Sequence, residues 1–109
     1  MSDNSLQELD TIDRDALMER MAKELLHISG EMGTSPSGIA YRTGLDKERI
    51  ELLVSGRRKM EWSEYMSILF VLWGDDKGRE MVEEKGLFPE ILKNAMRVNR
   101  TAHGEGQEV

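Results

Sequence analysis

Six cations, Arg42, Lys47, Arg49, Arg57, Arg58 and Lys59, fall between positions 35 and 60 against three acids, Asp46, Glu48 and Glu51. The whole chain of 109 residues nevertheless carries a formal charge of −6. Nine cations and eighteen acids make up the remainder. Such segregation describes a dipolar molecule with one side suited to anions, because lysine and arginine hold phosphate through charge-assisted N–H donors. A chain that is acidic overall does not coat a polyanion with its entire surface, so phosphate chemistry belongs to this segment or to none.

Other chemistries lack their residues. There is no cysteine, which removes disulfides and thiolate metal sites, and the two histidines, His27 and His103, stand too far apart to form a local metal pair. Ser35, Ser63 and Asp46 make no connected set of nucleophile, base and orienting group, and no glycine-rich phosphate loop occurs. The expectation is a protein that is not an enzyme, with no catalytic residue, metal, cofactor or small-molecule substrate. No apolar run approaches the roughly 18 to 20 residues needed to cross a bilayer, and the start MSDNSLQELD has neither a basic nor an apolar leader region. A cytoplasmic protein without a membrane partner is expected. Four of the eight methionines, Met18, Met21, Met66 and Met96, recur at helical intervals among leucine and isoleucine, which points to core filling.

The elements that would position the cations are helices. With 39% apolar and 33% charged residues, the chain suits one domain with one core. Residues 1–12 are polar and acidic and are expected to form a flexible arm. From position 13, Leu17, Met21, Leu25, Ile28 and Met32 recur every three or four residues, with Met18, Ala22 and Leu26 widening the stripe, until Gly30 and Gly33 end it. Ser35 can cap a second helix that Pro36 opens and Gly44 stops. Asp46 can cap a third, KERIELLV, with Ile50 and Leu53 inward and Ser55 and Gly56 at its end. The next segment, EWSEYMSILFVLWG, is apolar around most of its circumference and is expected to be the central, most enclosed helix. Gly74, Asp75 and Asp76 introduce a short helix over 77–84. After Gly86, Pro89 opens a last one carrying Ile91, Leu92, Ala95, Met96 and Val98. The tail, 100–109, has little to bury and is expected to be disordered. No segment alternates as a strand would. The reading is all-α, with five or six helices in one domain over 13–99.

When two helices cross closely in a helix-turn-helix, the first needs a small residue at the crossing, the turn needs glycine, and the second needs a branched apolar residue facing inward. Ala40, Gly44 and Ile50 meet these demands at intervals of four and six. With its flanks, the stretch SPSGIAYRTGLDKERIELLVSGRRKMEWSEYMSILFVL resembles the lambda-repressor-like, Cro-type helix-turn-helix family over about residues 13–74. The likeness lies in Ser35, Ala40, Gly44, Ile50, Gly56, Arg57 and Arg58, and in the apolar helix from Trp62 to Leu72.

The resemblance implies a sequence-specific DNA-binding transcriptional regulator whose helix 47–54 enters the major groove of double-stranded DNA. Lys47, Glu48, Glu51 and Leu52 then face base edges, where lysine donates to guanine, glutamate accepts from cytosine and leucine touches a thymine methyl. Ser35, Ser37, Arg42, Arg49, Arg57, Arg58 and Lys59 are expected at phosphates. Two departures from the family stand at three positions. Pro36 removes a side-chain donor at the start of the second helix, and Glu48 and Glu51 place two acids beside a polyanion. A homodimer is expected, its two recognition helices about 34 Å apart to read successive major grooves. The rival expectation is a protein-interaction module of the same fold that does not bind DNA and presents Glu48, Glu51 and Leu52 to a protein partner.

Overall fold

The computed structural model describes residues 12–96, and every regular element within them is an α-helix. In chain order these are α1 (Arg14–Glu31), α2 (Pro36–Thr43), α3 (Lys47–Ser55), α4 (Trp62–Trp73), α5 (Asp76–Glu84) and α6 (Glu90–Met96). The expected all-α class is therefore present, and the described residues hold six helices where five or six were expected. The expected arm, apart from Ile12, and the expected tail lie outside the described residues. No described helix is long and apolar enough to cross a membrane.

Residues Arg14–Leu87 make one unit, containing α1 to α5. At its middle is α1, which packs against each of the other four helices. Its apolar spacing explains this: Leu17, Met18, Met21, Leu25 and Ile28 are all buried. Leu26 turns about 100° away from Leu25 and is exposed. Each large apolar side chain taken out of water contributes roughly 1.5–3 kcal/mol, so this stripe and its partners dominate the fold's stability.

The centre had been expected at α4, and the structure moves it to α1. In α4 the buried face is Tyr65, Ile68, Leu69 and Leu72. Phe70 lies about 140° around the helix from Tyr65 and is 81% exposed, with Trp62, Met66 and Trp73 half-buried between. High apolar content all round did not mean enclosure all round: α4 packs mainly against α1, α2 and α5, and Phe70 is left in solvent.

The corner between α4 and α5 is tight. Asp75 caps α5 as its sequence position suggests, its carboxylate accepting from the Gly78 N–H at 2.8 Å. Gly78 is buried, and a Cβ there would stand 2.4 Å from the Leu72 carbonyl oxygen. The far end of the unit is pinned by the Tyr65 hydroxyl, which donates to the Leu87 carbonyl. Among the described residues, the second unit includes 88–96, and α6 is its helix. There Phe88, Leu92 and Lys93 are buried, and the Lys93 ammonium lies 5.5 Å from the centre of the Phe88 ring.

Candidate nucleic-acid interface

The site is built on α2, a short turn and α3, which pack on one another. Ser35 caps α2, its hydroxyl accepting from the Gly38 N–H at 3.2 Å, and Pro36 occupies the first turn. Ala40 is buried, as a close crossing of two helices requires. The turn is held from both sides of the backbone. Thr43 Oγ1 donates to the Ala40 carbonyl at 3.0 Å and accepts from the Leu45 N–H at 3.2 Å, while the Gly44 N–H also reaches the Ala40 carbonyl, at 2.9 Å. Gly44 has φ 84°, the left-handed conformation that glycine adopts without strain. Asp46 takes the N-cap position of α3, but its side chain makes no capping hydrogen bond. Ile50 and Leu53 are fully buried beneath α3.

Helical geometry then fixes what faces outward. At about 100° per residue, Glu48, Glu51 and Leu52 cover an arc roughly opposite Ile50 and Leu53, with Lys47 on the flank about 60° from Ile50. Lys47, Glu48 and Glu51 are exposed and Leu52 is half-buried. Of the four residues expected at base edges, Glu48, Glu51 and Leu52 thus share the outer surface of α3 and Lys47 flanks it.

Arg49 falls at the margin of that arc and is committed elsewhere. Its Nε donates to Glu64 Oε2 at 2.6 Å and its Nη2 to Glu64 Oε1 at 2.9 Å, with a further contact from Nη2 to the Lys59 carbonyl at 3.3 Å. Glu64 is almost wholly buried, and its Oε1 also accepts from the Glu61 N–H at 2.9 Å. Together Glu61 and Glu64 form a reciprocal capping box at the start of α4. Hydrogen bonding from Arg49 holds the Glu64 carboxyl below its ordinary value, against the opposing effect of burial, and the Glu61 N–H adds to the lowering. The same hydrogen bond raises Arg49. Where the sequence led to an expectation of phosphate contact, the structure shows Arg49 Nε and Nη2 engaged with Glu64 and the Lys59 carbonyl. The Glu61-x-x-Glu64 spacing before an apolar run was the available signal for the capping box; the pairing with Arg49 had none.

The remaining cations stay on the surface. Arg42, Lys47, Arg57, Arg58 and Lys59 are exposed, as is Ser35, whereas Ser37 is half-buried. Gly56, at φ 80°, turns the chain after α3, and the N–H groups of Arg57 and Arg58 both donate to the Leu52 carbonyl, which brings the basic loop back against the end of α3. Lys59 lies 3.5 Å from Asp15 of α1, with both side chains largely exposed, so this pair is weak and easily exchanged. The cations divide between two edges. Arg58 and Lys59 border a groove shared with α1, and Arg42 borders a shallow depression shared with Met66 and Phe70 of α4. Among the described residues no cluster of histidine and acids is arranged to hold a metal, and His27 is exposed.

Comparison of the chain with protein-family models, with curated proteins and with solved structures gave no match. What bears on function is therefore the geometry of α2, α3 and the loop that follows them.

Proposed function

We infer that this chain is a sequence-specific DNA-binding transcriptional regulator of the lambda-repressor-like, helix-turn-helix kind, with α3 as the helix that enters the major groove. The observation that carries the reading is the division of α3 into two faces. Ile50 and Leu53 are fully buried, and Glu48 and Glu51 stand in solvent on the outer side with Lys47 exposed on the flank, behind a turn closed by Gly44 at φ 84°. A helix anchored in this way and free on its outer face has the form that groove readout demands. Lys47, Glu48, Glu51 and Leu52 read base edges. Ser35, Ser37, Arg42, Arg57, Arg58 and Lys59 meet phosphates on either side, and Arg49 leaves that set because it belongs to Glu64. A two-fold dimer would present two such helices to successive turns of duplex, and the exposed Phe70 on α4 is an apolar side chain suited to such a contact.

Selection of the full chain against random duplex DNA, followed by a salt titration on the recovered sequence, tests the reading. A log–log salt slope corresponding to about three to six phosphates per subunit is expected, reduced by Arg57→Ala with Arg58→Ala. The exposed carboxylates of Glu48 and Glu51 favour a second reading, in which the same surface docks a protein. That reading gains if duplex affinity at low salt is no greater than that of a neutral control protein.

A further inference from the structure

Between α1 and the end of α3 lies a groove of about 550 Å³, within the range of roughly 300–1,000 Å³ that ligand sites occupy. Met18 and Ala22 of α1 contribute to its lining, with Leu53 and Val54 of α3 and Met60 of the loop, so the walls are mainly apolar and include two adaptable methionines. Charge sits at the edge. Both acids there already face a cation: Asp15 lies 3.5 Å from Lys59, and Glu19 lies 3.6 Å from Lys23. Arg58, which also lines the groove, is exposed and enters none of these pairs. The unmatched charge of the rim is therefore positive and belongs to Arg58, next to an apolar interior.

We propose that this groove binds a small amphiphile made of an apolar body and a single carboxylate, with the body against Met18, Val54 and Met60 and the carboxylate on Arg58. A planar guanidinium takes a carboxylate through two parallel N–H donors, a geometry that an ammonium or hydroxyl ligand cannot use. The occupant is an effector. Arg58 is one of the phosphate-facing cations of the function proposed above, so carboxylate and DNA backbone compete for it; this consequence rests on that reading, whereas binding in the groove does not.

Decanoate, kept below its micellar concentration, is the probe, and methyl resonances of the full chain labelled at methionine are the readout. Decanoate is expected to shift the Met18 and Met60 methyls while leaving Met66 unmoved, since Met66 lines the separate depression beside Phe70. Arg58→Ala should weaken decanoate about fivefold or more and leave the weaker binding of decanol unchanged. Ala22→Phe, which puts a bulky side chain into the groove from α1 and leaves the Arg58 residue in place, should abolish both. Silent Met18 and Met60 methyls, equal shifts with decyltrimethylammonium, or unaltered decanoate affinity in Arg58→Ala would each overturn the site. Where the protein binds duplex, decanoate should loosen it in the wild type and have no effect in Arg58→Ala; loss of that coupling overturns the effector role. Intact decanoate binding in a protein with no duplex affinity refutes the DNA reading and leaves the groove as assigned.

Discussion

Arg49 and Glu64 meet in a two-point contact, Nε to Oε2 at 2.6 Å and Nη2 to Oε1 at 2.9 Å, that ties the outward-facing helix α3 to the first turn of α4. Fork-to-fork geometry of this kind constrains direction as well as distance. Since Glu64 simultaneously caps the backbone of α4 at the Glu61 N–H, one carboxylate sets the start of α4 and the orientation of α3 together. The pair positions α3, and a positioning pair is best tested through stability and pH.

Glu64→Gln keeps the shape and a capping oxygen but removes the charge. In the folded protein Glu64 titrates below its ordinary value of 4.5, so the stability it contributes is fully present above that pH and is lost as pH falls through the lower, folded value. The variant lacks this contribution at every pH. Its melting temperature should lie a few degrees below the wild type at neutral pH, and the gap should narrow below about pH 4.5. Thermal melts across the acid range, read by circular dichroism, measure it; a gap that does not change with pH would show that the charge contributes nothing.

Gly44→Val places a β-branched side chain at φ 84°. No neighbouring atom crowds the position, so the cost is backbone strain alone, roughly 1–3 kcal/mol. Chemical denaturation should show the loss as a lower midpoint with an unchanged slope. Wild-type stability would mean that the turn relaxes without difficulty, and a rigid link between α2 and α3 would have to be given up.

Much of this arrangement was legible in the residues. Ser35, Pro36, Gly44, Gly56 and Asp75 act through the backbone within a few positions of themselves, and local chemistry of that kind is written in local sequence. The burial of Ile50 and Leu53 followed from their three-residue spacing in the same way. Two features were not legible. Which side of α4 faces the core depends on which helices pack against it, and an apolar sequence all round gives no preferred side, so Phe70 could not be told from Tyr65. The attachment of Arg49 to Glu64 joins residues fifteen apart, on different helices, and nothing in the sequence distinguishes that arginine from Arg57 or Arg58.

Glycine substitutions at two helical sites should have opposite signs. In α5, Gly78→Ala would bring a methyl to 2.4 Å from the Leu72 carbonyl oxygen and 3.1 Å from the Met32 sulfur, and the backbone oxygen cannot move without disturbing the corner. A loss of about 2 kcal/mol is expected despite alanine's better helix propensity. In α1, Gly30 has nothing within 4 Å of the same added atom, and Gly30→Ala should stabilise by up to about 1 kcal/mol. Equal effects from the two variants would show that propensity outweighs the packing of the α4–α5 corner.

Tyr65→Phe removes one oxygen from a fully buried ring. Burial holds the phenol well above its ordinary value, so it is a neutral donor to the Leu87 carbonyl at any ordinary pH. The ring would keep its stack on Trp62, with centroids 4.7 Å apart, while the carbonyl loses its donor. The cost should be about 1–2 kcal/mol and independent of pH. Tryptophan fluorescence should report it as an earlier unfolding transition with an unaltered native spectrum, and a changed native spectrum would mean that the stack itself had rearranged.

Arg49, half-buried on α3, has an internal carboxylate partner and Arg57, exposed in the loop, has none among the described contacts, and the proposed DNA reading turns this into a contrast. Arg57 is exposed, so Arg57→Gln should lower the log–log salt slope of duplex binding by about 0.9, the value of one phosphate, without a measurable change in melting temperature. Arg49→Gln should do the reverse: the melting temperature falls because Glu64 is left buried without its cation, and the salt slope of the folded fraction stays as in the wild type. Fluorescence anisotropy on a selected duplex at several salt concentrations, with melts on the same preparations, separates the two effects. A reduced slope in Arg49→Gln would mean that the arginine leaves Glu64 for phosphate when DNA arrives, and that the contact between α3 and α4 opens on binding.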